Sequence, residues 1–169
     1  MSDRVFSVIL LPTAECNVAC DYCFEHKEPH RLSMVMLPLL TRQLLDHLEH
    51  EGIGECEIYW QGGEAMIMGP SWFVEAGRLM DAAAKARGRR FTHYLQTNLI
   101  SYSPAWNEVI FSMFNGSLGT SMDYPNLHRK LFKGGAEAYS KVWTRRLREA
   151  VTAGIEVGSA RAVTLTPEN

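Results

Sequence analysis

Long apolar runs are missing from this chain of 169 residues. The longest, Val8 to Pro12 with Val5 and Phe6 just before it, is far too short to span a bilayer. Basic excess is missing as well. Lys and Arg number 17 against 19 Asp and Glu, a formal net charge of −2, so nothing in the charge draws the chain to nucleic acid or an anionic membrane surface. Met1-Ser2-Asp3-Arg4 lacks the basic region, apolar core and small-residue cleavage site of a secretory signal, which makes the cytoplasm the expected location. Cysteine is scarce, and four in a chain of this length do not make a disulfide scaffold. No internal repeat, low-complexity tract or linker divides the sequence. One domain over residues 1–169, with a substantial core, is expected.

The few cysteines present are not spread evenly. Cys16, Cys20 and Cys23 fall within eight residues, Cys16-Asn17-Val18-Ala19-Cys20-Asp21-Tyr22-Cys23, and a loop that short must present its thiols together on one surface. Thiolates are soft ligands that suit zinc or an iron–sulfur cluster. Three is one ligand fewer than a closed zinc site or cluster takes, so a metal here would keep a position open. Cys56 stands apart near the start of a strand pattern, about five residues before a glycine pair, or on the order of 15 Å at 3.3 Å per residue. It is expected to be a small buried hydrophobe and not a fourth ligand. His26 and His30 follow the cysteines too closely for a zinc finger and are expected in a polar loop.

Apolar periodicity orders the rest. Residues 5–11 read as a buried strand, and 55–61, 91–97, 117–122 and 155–166 as four more. Helical spacing joins Leu37, Leu40, Leu44, Leu45 and Leu48, with Gly52 as the stop. A second helix runs from Ser71 towards Gly88, a third opens at Ser103-Pro104, and a fourth spans about Ala136 to Ala153. Alternating strands and helices make an α/β fold with a parallel sheet or barrel, whose strand C-termini share one end. Functional groups collect at that end in such folds.

Short polar motifs follow four of the five strands: the cysteine loop, Gln61-Gly62-Gly63-Glu64, Thr97-Asn98, and Ser121-Met122-Asp123. The cysteine spacing, with aromatic Tyr22 before the third thiol, resembles the CxxxCx(aromatic)C signature of the radical SAM superfamily. The later motifs resemble, in order, its GGE, TNG and S-x-D elements, and the QGGE form resembles the sulfatase- and peptide-maturing, SPASM-type branch. Departures are Ala65-Met66 where that branch has proline and leucine, and Leu99 in place of the TNG glycine. Beyond Asp123 the chain reads Tyr124-Pro125, then His128-Arg129 and Lys133, with a lysine where the family often carries an arginine for the cofactor carboxylate. Arg129 or Lys133 could supply that charge.

The resemblance covers nearly the whole chain. It implies a partial (β/α)6 radical SAM barrel, here of about five parallel strands with outer helices, and S-adenosyl-L-methionine lying across the strand ends. It implies that Cys16, Cys20 and Cys23 hold a 4Fe-4S cluster. Tyr22, Gly62, Gly63, Glu64, Thr97, Asn98, Ser121, Asp123 and Lys133 are implied cofactor contacts. The implied activity is reductive cleavage of S-adenosylmethionine to a 5′-deoxyadenosyl radical that abstracts hydrogen from a substrate, with a peptide or protein side chain as substrate and a flavodoxin or ferredoxin as electron donor. No base or hydrogen donor is identified. Relatives of this branch carry a C-terminal domain with further cysteines, and neither that domain nor a sixth strand is found in the sequence, so the front part of a longer enzyme is expected. The alternatives are a non-catalytic radical SAM-like binding domain and a structural zinc module.

Overall fold

A computed structural model describes residues 2–160. Its order is β1 (Ser2–Leu10), α1 (Leu37–His50), β2 (Ile53–Trp60), α2 (Pro70–Ala86), β3 (Arg90–Thr97), α3 (Asn107–Met113), β4 (Ser117–Ser121), α4 (Gly135–Thr152) and β5 (Glu156–Ala160). The strands form one sheet in the order β1-β2-β3-β4-β5, every neighbouring pair parallel. This is the expected α/β alternation. The stretch read as strand beyond residue 160 lies outside the described residues.

Each helix is amphipathic for an identifiable reason. In α1, Leu37, Thr41, Leu45 and Leu48 are buried at helical spacing. Pro38 sits in its first turn, where no intrahelical donor is needed, and Gly52 takes φ 66° just past its end. The helix expected from Ser103 starts differently. Pro104–Trp106 form a 3-10 turn ahead of α3, and Ser103 makes no side-chain cap. Tyr102 instead donates its hydroxyl to Asn107 Oδ1 at 2.7 Å at the head of α3.

Strand alternation sorts the sheet into two faces. Cys56, Ile58 and Trp60 of β2 and Phe91, His93 and Leu95 of β3 point to the helices and are buried. Trp60 stacks edge-on against Trp72 and Phe73, and Phe73 in turn meets Trp106 and Phe114. The buried indole and imidazole in this layer are satisfied: Trp60 Nε1 donates to His93 Nδ1 at 3.0 Å, and His93 Nε2 faces Asp81 Oδ1 at 3.1 Å. The opposite face carries Ser7, Glu57, Tyr59 and Tyr94, with the Ser7, Tyr59 and Tyr94 hydroxyls all donating to Glu57. It also carries Val5, Ile9 and Leu11, which are about half exposed. The apolar run read as a buried strand is therefore covered on one face only among the described residues, the face against which the helices pack.

Candidate active site

Parallel pairing brings the C-terminal ends of β1 to β4 to one rim, and the loops that follow them meet there. The cysteine loop is pinned from two sides. Towards β2, Gly63 N donates to Thr13 O at 3.1 Å and Glu64 N to Glu15 O at 2.7 Å. Across the rim, Ala19 N donates to Lys130 O at 2.7 Å and Asp21 N to His128 O at 3.0 Å. Gly62 and Gly63, implied cofactor contacts, lack a Cβ and so leave room for a close approach of other atoms to their backbone. What approaches them is the chain's own cysteine loop: a Cβ on Gly63 would stand 2.1 Å from Glu15 O, and one on Gly62, at φ 143°, 2.5 Å from Thr13 O.

Glu64 is the buried knot between two strand ends. Its Oε1 accepts from Met66 N at 2.9 Å and from the Thr97 hydroxyl at 2.7 Å, and its Oε2 from Asn98 N at 2.7 Å. Burial raises its pKa, against the pull of Thr97, Asn98 and Met66. Thr97 Oγ1 in turn accepts from Leu99 N at 3.0 Å, in a turn where Leu99 takes φ 65° and is buried completely. Leu99 thus adopts the left-handed conformation for which the family motif carries glycine.

On the far side, Asp123 is buried and its Oδ2 accepts from the Tyr22 hydroxyl at 2.6 Å. Arg129 Nε lies 3.1 Å from that same oxygen, and its guanidinium stands over the Tyr22 ring. Burial opposes the charge on Arg129, but Tyr22, Tyr139 and Asp123 outweigh it and hold its pKa above the ordinary value. Burial, then the bond to Asp123, pushes Tyr22 up. Asn126 keeps Arg129 in place by accepting from Arg129 N at 3.0 Å and donating to the Arg129 and Ala136 carbonyls.

These groups enclose a cavity of about 280 Å³. Cys16, Cys20, Tyr22, Cys23, Gly62, Gly63, Glu64, Thr97, Asn98 and Ser121 line it, so ten of the sequence-derived site residues converge. Asp123 sits behind the wall, bonded to Tyr22 and Arg129. Lys133 is exposed and outside the cavity wall, where Arg129, held by the Asn126 clamp, stands instead. Gln96 and Lys27 also line the cavity. Gln96 could have been found from its place next to Thr97 at the end of a strand, whereas no sequence signal marks Lys27. Cys56 lies away from the cavity in β2, its thiol pushed up to about 12 by burial. A larger open groove of about 860 Å³ along α4 holds none of the motif residues.

The donor set can be tested against the metal it implies. All three rim cysteines are free thiols, and burial raises Cys16 and Cys20 above the ordinary value. Among the described residues, no three His, Cys, Asp or Glu side chains converge on a point for a single ion. A cluster makes a different demand, since each cysteine binds a separate iron around one body. Three thiols spaced around one cavity, with the Arg129 guanidinium in its wall and Asp123 Oδ1 buried behind that wall without a hydrogen-bond partner, fit a bulky soft metal group and a charged small molecule beside it.

A parallel sheet with three thiols, a glycine turn and a buried cation on one rim defines the class: an α/β protein of radical SAM architecture. Comparison with known proteins narrows it. The chain is 29% identical over 147 residues to the cysteine-type anaerobic sulfatase-maturating enzyme of Clostridium perfringens, a match that takes in 80% of this chain and 38% of that protein. It is 26% identical over 117 residues to the serine-type enzyme of Bacteroides thetaiotaomicron, covering 66% of this chain and 28% of the relative. Among solved structures, native anSMEcpe with bound AdoMet and Cp18Cys peptide superposes with a TM-score of 0.75 at 26% identity, over 92% of this chain and 42% of that one. No protein-family model matches. Homologues of this chain include anaerobic sulfatase-maturating enzymes of the radical SAM type, and its fold is that of radical SAM enzymes. The chain spans about two fifths of the length of the Clostridium relative.

Proposed function

We propose that this chain is the catalytic core of a radical SAM enzyme that modifies a peptide or protein side chain. The observation that carries it is the convergence of Cys16, Cys20 and Cys23 with the Gly62–Glu64 turn, Asn98, Ser121 and Arg129 on one cavity. The three thiols would hold a 4Fe-4S cluster through three of its irons. Arg129 suits a carboxylate and Ser121 a hydroxyl of S-adenosylmethionine. The cluster and S-adenosylmethionine together, when bound, supply one-electron radical chemistry strong enough to break an unactivated C–H bond.

The chain's own residues do the positioning. Glu64 ties the end of β2 to that of β3, the two glycines seat the cysteine loop against them, and the Tyr22–Asp123–Arg129 group closes the opposite wall. The neighbours' peptides support a peptide substrate, since anSMEcpe is solved with Cp18Cys and Kp18Cys bound. A low-potential donor such as a flavodoxin or ferredoxin would supply the electron. Three free thiols clustered on one rim suit a reducing compartment, which favours the cytoplasm. No helix among the described residues is long and apolar enough to cross a membrane.

Anaerobic reconstitution with iron and sulfide tests this. The wild-type chain should turn brown, bind about four irons, and release 5′-deoxyadenosine from S-adenosylmethionine after reduction. Cys16→Ala, Cys20→Ala and Cys23→Ala should each lose cluster and product alike. Full iron retention in any of the three refutes the ligand assignment, and a bound cluster that forms no 5′-deoxyadenosine reduces the chain to a binding domain.

A further inference from the structure

We propose that Asn98 is a positioning residue that donates an N–H to the Cys16 sulfur and so raises the reduction potential of a cluster held there. This rests on the cluster-binding reading above, but the residue's task differs from the cofactor contact its motif implied. Asn98 Nδ2 donates to Asn17 Oδ1 at 2.8 Å and lies 3.9 Å from Cys16 Sγ. An amide nitrogen has two hydrogens, one for each of these acceptors. The orientation is determined by the surroundings: Asn98 Oδ1 accepts from Ile100 N at 2.9 Å, so a flipped amide would face that donor with another.

The residue's backbone is held equally firmly. Asn98 N donates to Glu64 Oε2 at 2.7 Å, and Asn98 O accepts from the Tyr139 hydroxyl at 3.4 Å. Asn17, the partner in the cysteine loop, is itself anchored by donating to Ser101 Oγ at 2.8 Å. A rigid donor therefore points at the first of the three sulfurs. Reduction adds negative charge to a cluster and its sulfurs, and a fixed N–H there stabilises the reduced form more than the oxidised one.

The measurement is a redox titration of the reconstituted chain followed by EPR. Asn98→Ala should shift the reduction equilibrium about tenfold towards the oxidised cluster, about 59 mV more negative for one electron. Asn17→Ala removes the brace but leaves the amide facing Cys16, and its potential should stay at the wild-type value. An unchanged potential in Asn98→Ala overturns the proposal, as does an equal shift in Asn17→Ala. Should Asn98→Ala hold no iron, Asn98→Asp keeps the acceptor for Ile100 N and loses both donors. Wild-type protein in water against heavy water should then show an exchangeable-proton coupling to the reduced cluster that Asn98→Asp lacks, and its persistence overturns the proposal. A wild-type chain that takes up no cluster defeats the function proposed above and this inference with it.

Discussion

Glu64 concentrates at one residue what the rim needs: a carboxylate out of reach of water, with three donors aimed at it. In Glu64→Gln, a side-chain N–H must face at least one of those donors, leaving a buried group unpaired at a cost of about 1–3 kcal/mol. The pH dependence has a definite sign. Burial raises the folded-state pKa above its unfolded value, so the folded chain holds the extra proton between the two, and stability falls as pH rises through that window. Glu64→Gln has no such slope. Urea midpoints measured from acid to neutral pH should show the gap between wild type and variant narrowing as pH rises; parallel curves would mean that Glu64 titrates as if exposed. The residues of this knot were legible in the sequence as separate motif fragments. Their joining was not, because Glu64 and Thr97 are 33 positions apart and only the sheet register brings them together. Arg129 and Lys133 show the same limit: spacing offered both, and the Asn126 clamp decided between them.

Among the elements, the two loops that close on each other matter most for the site. The cysteine loop lies so near the turn after β2 that Gly63 has no room for a methyl group, with two backbone oxygens, Glu15 O and Ala14 O, at 2.1 and 2.6 Å from a Cβ there. Backbone atoms cannot turn aside as a flexible side chain does. Gly63→Ala should therefore push the loop off the rim and break the Gly63–Thr13 and Glu64–Glu15 bonds, a loss of about 2–3 kcal/mol. Cluster uptake should fall with it while the helical signal in circular dichroism stays, because α1 to α4 pack on a face of the sheet and the loop lies at its rim. A variant that binds iron normally would show the loop to be free of the turn. The glycine pair was visible in the sequence. The reason for it was not, since propensity cannot tell a ligand from a neighbouring loop. Element order was readable because strand and helix periods differ, whereas the start of α3 escaped: Ser103-Pro104 has the composition of a cap, yet the chain enters through a 3-10 turn first.

At the scale of the whole molecule, four helices cover one face of a five-stranded sheet, and the other face is open among the described residues. The sequence announced five parallel strands but not this asymmetry, because an apolar run such as Val5–Leu11 looks alike whether one face is covered or both. The two faces can be separated by experiment on neighbouring strands. Val8 pairs with Ile58 in the register of β1 and β2, and Ile9 is the next residue, pointing the opposite way. Ile58 is buried completely against the helices, while Ile9 is 54% exposed. Truncating the first leaves a cavity in a close-packed layer, so Ile58→Ala should cost about 2–5 kcal/mol. Truncating the second removes little buried area, and Ile9→Ala should cost less than about 1 kcal/mol. Equilibrium denaturation of the two variants decides the matter, because a sheet covered on both sides would lose comparable stability in each, and a sheet built as described loses it in one.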